Sequence, residues 1–144
     1  MGTSKVKQII VLSGKRKSGK DFVADELVKK FGAENCCLIR TSKPIKSHFS
    51  KLYGLDLEVM MTSSSYKEKI RAEMVAWGEE QRKINPYVFC EIVTNEAEKK
   101  EKPIWIVSDC RRLTDIDYFR KFGSSNNLSV TFVRVNSNIK ILFV

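Results

Sequence analysis

The sequence predicts an α/β fold in three layers, a parallel sheet with helices on both faces. Three observations predict it. Strand-like and helix-like segments alternate along the chain. Two of the strand-like runs, Gln8 to Leu12 (QIIVL) and Ile104 to Val107 (IWIV), are continuously apolar, as strands covered on both faces are. A glycine-rich turn joins the first strand directly to the first helix.

The elements follow in order. Gln8 to Leu12 is a short β-branched run that reads as a buried strand. Asp21 to Phe31 is helical, with Val23, Leu27 and Phe31 spaced by four and Gly32 where a C-terminal cap is expected. Cys36 to Arg40 (CCLIR) is a second strand. Ser42 with Pro44 marks a helix start, and Ile45, Phe49 and Leu52 give it an apolar stripe. Ser65 and Glu68 form a capping box that opens a long helix to about Lys83. Asn85-Pro86 opens another, with Phe89, Ile92 and Val93 apolar. Pro103 precedes the strand IWIV, and Thr114 with Asp117 starts a helix expected to end at Gly123. Leu128 to Val135 (LSVTFVRV) is the last strand. No repeat, low-complexity tract or Pro/Gly/Ser linker interrupts this order.

Composition bounds the function. A chain of 144 residues suits one domain. Apolar residues at 42% and charged residues at 30% exclude a disordered, collagen-like or membrane chain. The net charge of +9 points to polyanionic partners: nucleic acid, an anionic surface, or small molecules carrying several phosphates. The four cysteines lack CxxC spacing, and the single histidine, His48, cannot complete a zinc set of standard spacing. They read as reduced, partly buried thiols. The polar start, Met1 to Lys7, is too short for a signal peptide, and no apolar run reaches the roughly 18 residues of a membrane span. The expectation is a soluble, cytosolic, monomeric protein.

Gly14-Lys15-Arg16-Lys17-Ser18-Gly19-Lys20 satisfies G-x-x-x-x-G-K between a strand and a helix, the context this phosphate-binding motif requires. The glycines let the backbone wrap closely round an anion, and successive N–H groups and the helix N-terminus point at it. Lys20 reaches the β- and γ-phosphates of a nucleotide as a mobile point charge. The motif usually ends in Ser or Thr, which ligates Mg²⁺. Asp21 stands there instead, a hard oxygen ligand directly or through water, or simply an acid suited to the first turn of a helix.

Other cations recur at helix starts and strand ends. Lys46 lies on the helix after the second strand. Lys67 and Arg71 share one face of the long helix, and Arg82 lies about 60° round it by the 3.6-residue period. Arg111 and Arg112 follow Asp109 at the carboxyl end of IWIV, where open parallel sheets bind ligands. Asp109 is an acid placed to bind Mg²⁺ through water, to orient an arginine, or to form the strand-end turn. Cations that converge on one crevice suit a kinase whose acceptor already carries phosphate, because two anionic reactants must be brought together.

Four stretches together resemble animal-type phosphomevalonate kinase: Ser13 to Phe22 (SGKRKSGKDF), Ser65 to Arg71 (SYKEKIR), Trp77 to Arg82 (WGEEQR), and Trp105 to Arg112 (WIVSDCRR) with Asp115-Ile116 after it. They occur in the family's order between residue 8 and about 135, and the Asp at position 21 is the family's own variant of the loop. The resemblance implies a P-loop fold of the nucleoside-monophosphate-kinase type. It implies transfer of the ATP γ-phosphoryl group to (R)-5-phosphomevalonate, giving 5-diphosphomevalonate and ADP on the mevalonate route to isoprenoids and sterols. It implies that the turn Gly14, Lys15, Arg16, Lys17, Ser18, Gly19, Lys20 and Asp21 holds ATP and Mg²⁺, while Asp109 stays a metal candidate by its position alone. Lys46, Lys67, Arg71, Arg82, Arg111 and Arg112 would hold the acceptor, with Lys17, Lys20, Arg111 and Arg112 acting on the transferring group.

The family continues past the VRV strand into an arginine-bearing lid, a further strand and a last helix, whereas here Asn136 to Val144 departs from it. The expected organisation is an incomplete kinase domain over 1–135 and a non-family tail over 136–144. Lids exclude water and supply late cations, so weak or absent turnover with nucleotide binding retained is expected. Two alternatives stand beside this reading: another small-molecule or nucleotide kinase of the same fold, and a non-catalytic basic fragment that binds nucleic acid or a partner. Against the last, the aromatics sit in apolar stripes rather than among the basic residues, so no stacking platform for bases is evident and no nucleic-acid partner is expected.

Overall fold

A computed structural model describes residues 5–15, 17–62 and 68–136. The described elements run β1 (Gln8–Ser13), α1 (Lys20–Phe31), a 3₁₀ turn (Ala33–Asn35), β2 (Cys36–Ile39), α2 (Lys43–Tyr53), α3 (Leu57–Thr62), α4 (Glu68–Ile84), α5 (Val88–Lys99), β3 (Ile104–Cys110), α6 (Leu113–Ser125) and β4 (Ser129–Arg134). The strands form one parallel sheet in the order β2-β3-β1-β4. β1 and β3 are its inner strands, and their near-continuous burial explains their unbroken apolar sequence. β4, at an edge, is only partly buried.

Alternation along β1 feeds two apolar layers. Ile9 and Val11 join Trp105, Val107, Val93, Cys90 and Phe119 under α5 and α6. Ile10 and Leu12 join Val23, Ala24, Leu27 and Ile106 under α1. A third cluster, Phe49, Met60 and Met74, ties α2, α3 and α4 together. The three-layer expectation therefore holds, with a helical annex beside it.

Local signals account for most boundaries. Gly32 caps α1 at φ 92°, its N–H donating to the Val28 carbonyl at 2.8 Å. Asn85 Oδ1 accepts the Tyr87 N–H at 3.0 Å and so turns the chain into α5. One expectation needs correction. α6 does not end at Gly123 but runs to Ser125. Gly123 lies on its buried face with Asp115 and Phe119, four residues apart, and a Cβ there would overlap Val130 of β4. The glycine is a close-approach residue, not a cap. The helix start expected at Ser42 and Pro44 is found, with Ser42 at the N-cap and Pro44 in the first turn, although the Ser42 hydroxyl makes no capping bond. The expected capping box lies partly outside the described residues, as do Arg16, Lys67 and most of the 136–144 tail. Among the described residues no helix is long and apolar enough to cross a membrane.

Candidate active site

In a sheet ordered 2-3-1-4, the chain leaves β1 for the far strand β2 and leaves β3 for the opposite edge, β4. Successive connections from the inner strands thus diverge, which opens a crevice at their carboxyl ends. Every described residue of the candidate site lies on that rim or on a helix beside it.

The turn after β1 holds its shape through backbone geometry. Gly14 has φ 147°, and a Cβ there would sit 2.5 Å from the Val135 carbonyl oxygen. Lys17 adopts left-handed φ 61°, and Gly19, φ 100°, sets the N-terminus of α1. The Ser18 N–H donates to the Lys15 carbonyl at 3.1 Å. Lys20 is 6% exposed. Its ammonium donates to the Gly14 and Lys15 carbonyls at 2.8 and 2.7 Å and, more weakly, to Ser18 Oγ at 3.4 Å. Burial lowers its pKa, and Arg111 adds to that effect against the opposing fields of Asp109 and Asp21. A cation desolvated this way beside another cation is set to gain from an arriving anion. Lys15, Lys17 and Asp21 are exposed round the turn.

A second group stands on the β2 and β3 ends. Arg40 Nη2 lies 3.5 Å from Asp21 Oδ1 and links the rim of β2 to the first turn of α1. Lys46, half-buried on α2, has its pKa lowered by burial, with Asp109, Arg40, Arg111 and Asp21 all contributing to its field. Sequence reading left Arg40 out of the site. The signal was present, since Arg40 follows an apolar strand just as Arg111 does. Asp109, expected at a metal through water or beside an arginine, bonds through its carboxylate to the start of α2. Oδ1 accepts the Thr41 N–H at 2.7 Å and the Thr41 hydroxyl at 3.0 Å, and Oδ2 accepts the Ser42 N–H at 3.1 Å. Three of its roughly four lone-pair sites are thereby taken.

A third group joins α4 to the start of α6. Glu79 pairs with Arg112 and lies 3.8 Å from Arg82 Nη1. The Arg82 guanidinium also packs over the Phe89 ring, 4.9 Å from its centre. Burial lowers the Arg82 pKa, with Arg112 the next cause. Beneath them lies buried Asp115, whose carboxyl is raised by desolvation although Cys90 Sγ donates to it at 3.3 Å. Arg71 stands apart from this group, 11 residues or about 16 Å down the axis of α4 from Arg82, and 4.0 Å from Glu68.

The rim thus holds the glycine-rich turn with two groups of cations beside it, Arg40 and Lys46 near Asp21, and Arg82 and Arg112 about Glu79. Among the described residues no cluster of three His, Cys, Asp or Glu side chains could hold a metal alone. The sequence model of the phosphomevalonate kinase family matches residues 12–125. A phosphomevalonate kinase of Drosophila melanogaster is 38% identical over 115 residues, a stretch that covers 79% of this chain and 60% of the fly protein. The matched region runs from the end of β1 to the end of α6 and contains the turn and both cation pairs. The chain belongs to the phosphomevalonate kinase family.

Proposed function

We propose that this chain binds ATP with Mg²⁺ and (R)-5-phosphomevalonate, and serves transfer of the γ-phosphoryl group between them to give 5-diphosphomevalonate and ADP. The observation that carries the reading is the separation of the cations into a nucleotide turn, Gly14–Asp21, and two further pairs on the same rim. A simple nucleotide hydrolase has one anionic reactant to hold, whereas transfer onto a phosphorylated acceptor has two.

The residues divide the work accordingly. The backbone of Gly14 to Gly19 and the N-terminus of α1 face the β- and γ-phosphates. Lys20 exchanges its carbonyl partners for phosphate oxygens, and Lys15, Arg16 and Lys17 add positive charge for the same nucleotide. Lys46, Arg111 and Arg112, with Arg40, hold the acceptor phosphate near the transferring group. Arg82, Arg71 and Lys67 serve the rest of the acceptor. The attacking atom is an acceptor phosphate oxygen, largely ionised at neutral pH because its second pKa is about 6, so no side chain need remove a proton. A bond forms from that oxygen to the γ-phosphorus as the bond to the β,γ-bridging oxygen breaks, and ADP leaves with the electron pair. The chain's contribution is alignment and charge compensation.

The residues fit Mg²⁺ that would be held mainly by nucleotide phosphates and water, with Asp21 as the carboxylate of this chain that would complete its shell. Bound there, the ion would neutralise charge on the phosphate oxygens. A test measures ADP release with phosphomevalonate, AMP and dTMP as acceptors. Release that depends on phosphomevalonate above the other two, however slow, is the expected outcome. Preference for AMP or dTMP replaces this reading with that of a nucleotide kinase. Steeply salt-dependent DNA or RNA binding with no acceptor binding replaces it with the basic binding fragment.

A further inference from the structure

Strands β2 and β3 are paired in register up to Ile39 opposite Val107. Two residues further on, the same register sets Thr41 opposite Asp109, just where the backbone ladder of β2 has ended. The Asp109 carboxylate continues the pairing by other means, through the bonds to Thr41 N–H, Thr41 Oγ1 and Ser42 N–H at 2.7, 3.0 and 3.1 Å. Thr41 is 4% exposed, and the three bonds are partly buried. They also complete a helix end. Ser42 makes no side-chain cap of α2, and the carboxylate of β3 supplies the negative charge that a helix N-terminus favours.

The segment held in this way carries cations on both sides of the clamp. Arg40 immediately precedes it, and its carbonyl accepts the Lys43 N–H at 3.1 Å. Lys46 follows one turn into α2, its N–H donating to the Ser42 carbonyl at 3.0 Å. A shift of the β2–α2 corner therefore moves both cations relative to Asp21 and the phosphate-binding turn.

We propose that Asp109 is a positioning residue of the phosphoryl-transfer site, a carboxylate that locks the β2–α2 corner and so sets Arg40 and Lys46 for the acceptor. The proposal rests on the kinase reading above. Its distinguishing feature is the sign of an effect. Asp109 is a negative charge beside an anion-binding site, so removing it should tighten binding of every anion if charge alone matters. If Asp109 acts through the corner, its removal weakens the acceptor despite the favourable change in charge. If it carried Mg²⁺ directly, its removal would raise the Mg²⁺ concentration needed for nucleotide binding.

The experiment uses the full chain and D109N, which keeps the size of the side chain but places an amide against at least one of its donors. Calorimetry measures phosphomevalonate and ATP affinity across a Mg²⁺ series. Exchange of the Thr41 and Ser42 amides is followed by NMR without ligand. The expected result is acceptor affinity lowered about tenfold or more, ATP affinity and its Mg²⁺ dependence within about twofold of the parent, and faster exchange of both amides. Unchanged or tighter acceptor binding overturns the proposal, as does a tenfold rise in Mg²⁺ requirement. If the parent chain binds no phosphomevalonate, the kinase reading fails and amide exchange decides on the clamp, which unchanged exchange in D109N also overturns. Should D109N not fold, T41V removes only the hydroxyl bond and is expected to weaken the acceptor in the same direction; unchanged acceptor affinity in that variant overturns the proposal.

Discussion

The Lys20 ammonium and the Gly14 carbonyl meet at 2.8 Å across the turn after β1, both inside the fold. The cation that should grip a nucleotide is therefore already seated in the loop, held by backbone that the same loop supplies. Charged hydrogen bonds are worth about 1.5–3 kcal/mol, or roughly 10- to 150-fold in affinity. Lys20→Met is expected to lose ATP affinity within that range by calorimetry. Its thermal midpoint should move little, because the loss of bonds to the Gly14 and Lys15 carbonyls is offset by relief of a desolvated charge.

Gly123 and Val130 fix the distance between α6 and β4. A methyl group on residue 123 would overlap the Val130 side chain, so Gly123→Ala must displace Val130 or the helix. Overpacking of this kind costs about 1–3 kcal/mol. Chemical denaturation should show that loss, and Val130→Ala in the same chain should restore part of it. Simple additivity of the two substitutions would place the effect elsewhere.

These two sites mark what could be read from the sequence. The phosphate turn was legible because G-x-x-x-x-G-K between a strand and a helix carries its own mechanism, and the inner strands were legible because burial on both faces leaves an unbroken apolar run. Gly123 was misread because a cap and a close packing contact call for the same residue, and Val130, which separates the two readings, is known to be adjacent only once β4 is placed. Helix α3 was missed because Leu57–Thr62 is too short to show a helical period. The Asp109 clamp joins residues 68 positions apart, and no local pattern encodes such a pair. Arg40 was within reach, since the rule that selected Arg111 applies to it equally.

Glu79 stands between Arg82 and Arg112 and partly neutralises them. Its pair with Arg112 is about half exposed on both sides, so it contributes at most about 1 kcal/mol to stability. Glu79→Gln should therefore lower the urea midpoint only slightly. With a negative charge removed and no backbone clamp disturbed, the same variant should bind phosphomevalonate up to about fivefold more tightly, the equivalent of that ~1 kcal/mol. Arg82→Met should weaken the acceptor instead. Weaker binding by both variants would mean that Glu79 aims the arginines rather than masking them.

The four buried thiols make the protein sensitive to alkali in a defined direction. Burial raises all four, Cys110 to about 12 and Cys90 further, with Asp115 adding to both. An unfolded thiol ionises near 8.5. A raised folded pKa contributes stability that is fully present below the unfolded value and is lost as pH climbs through the folded one. Between roughly 8.5 and 12, folded Cys110 keeps a proton that the unfolded chain releases, so each such thiol lowers stability by about 1.4 kcal/mol per pH unit. Lys20 and Lys46, whose pKa values are lowered, act in the opposite sense below their unfolded value near 10.4, so the net slope alone does not isolate the cysteines. Comparison with Cys110→Ala does. The variant should be less stable at pH 7 through its lost packing, yet its urea midpoint should fall less steeply from pH 9 to 11 than the parent's. Parallel slopes would show that Cys110 ionises as freely in the fold as outside it. In the native chain at pH 8, the same burial predicts slow reaction of all four thiols with a disulfide reagent and prompt reaction of four in denaturant.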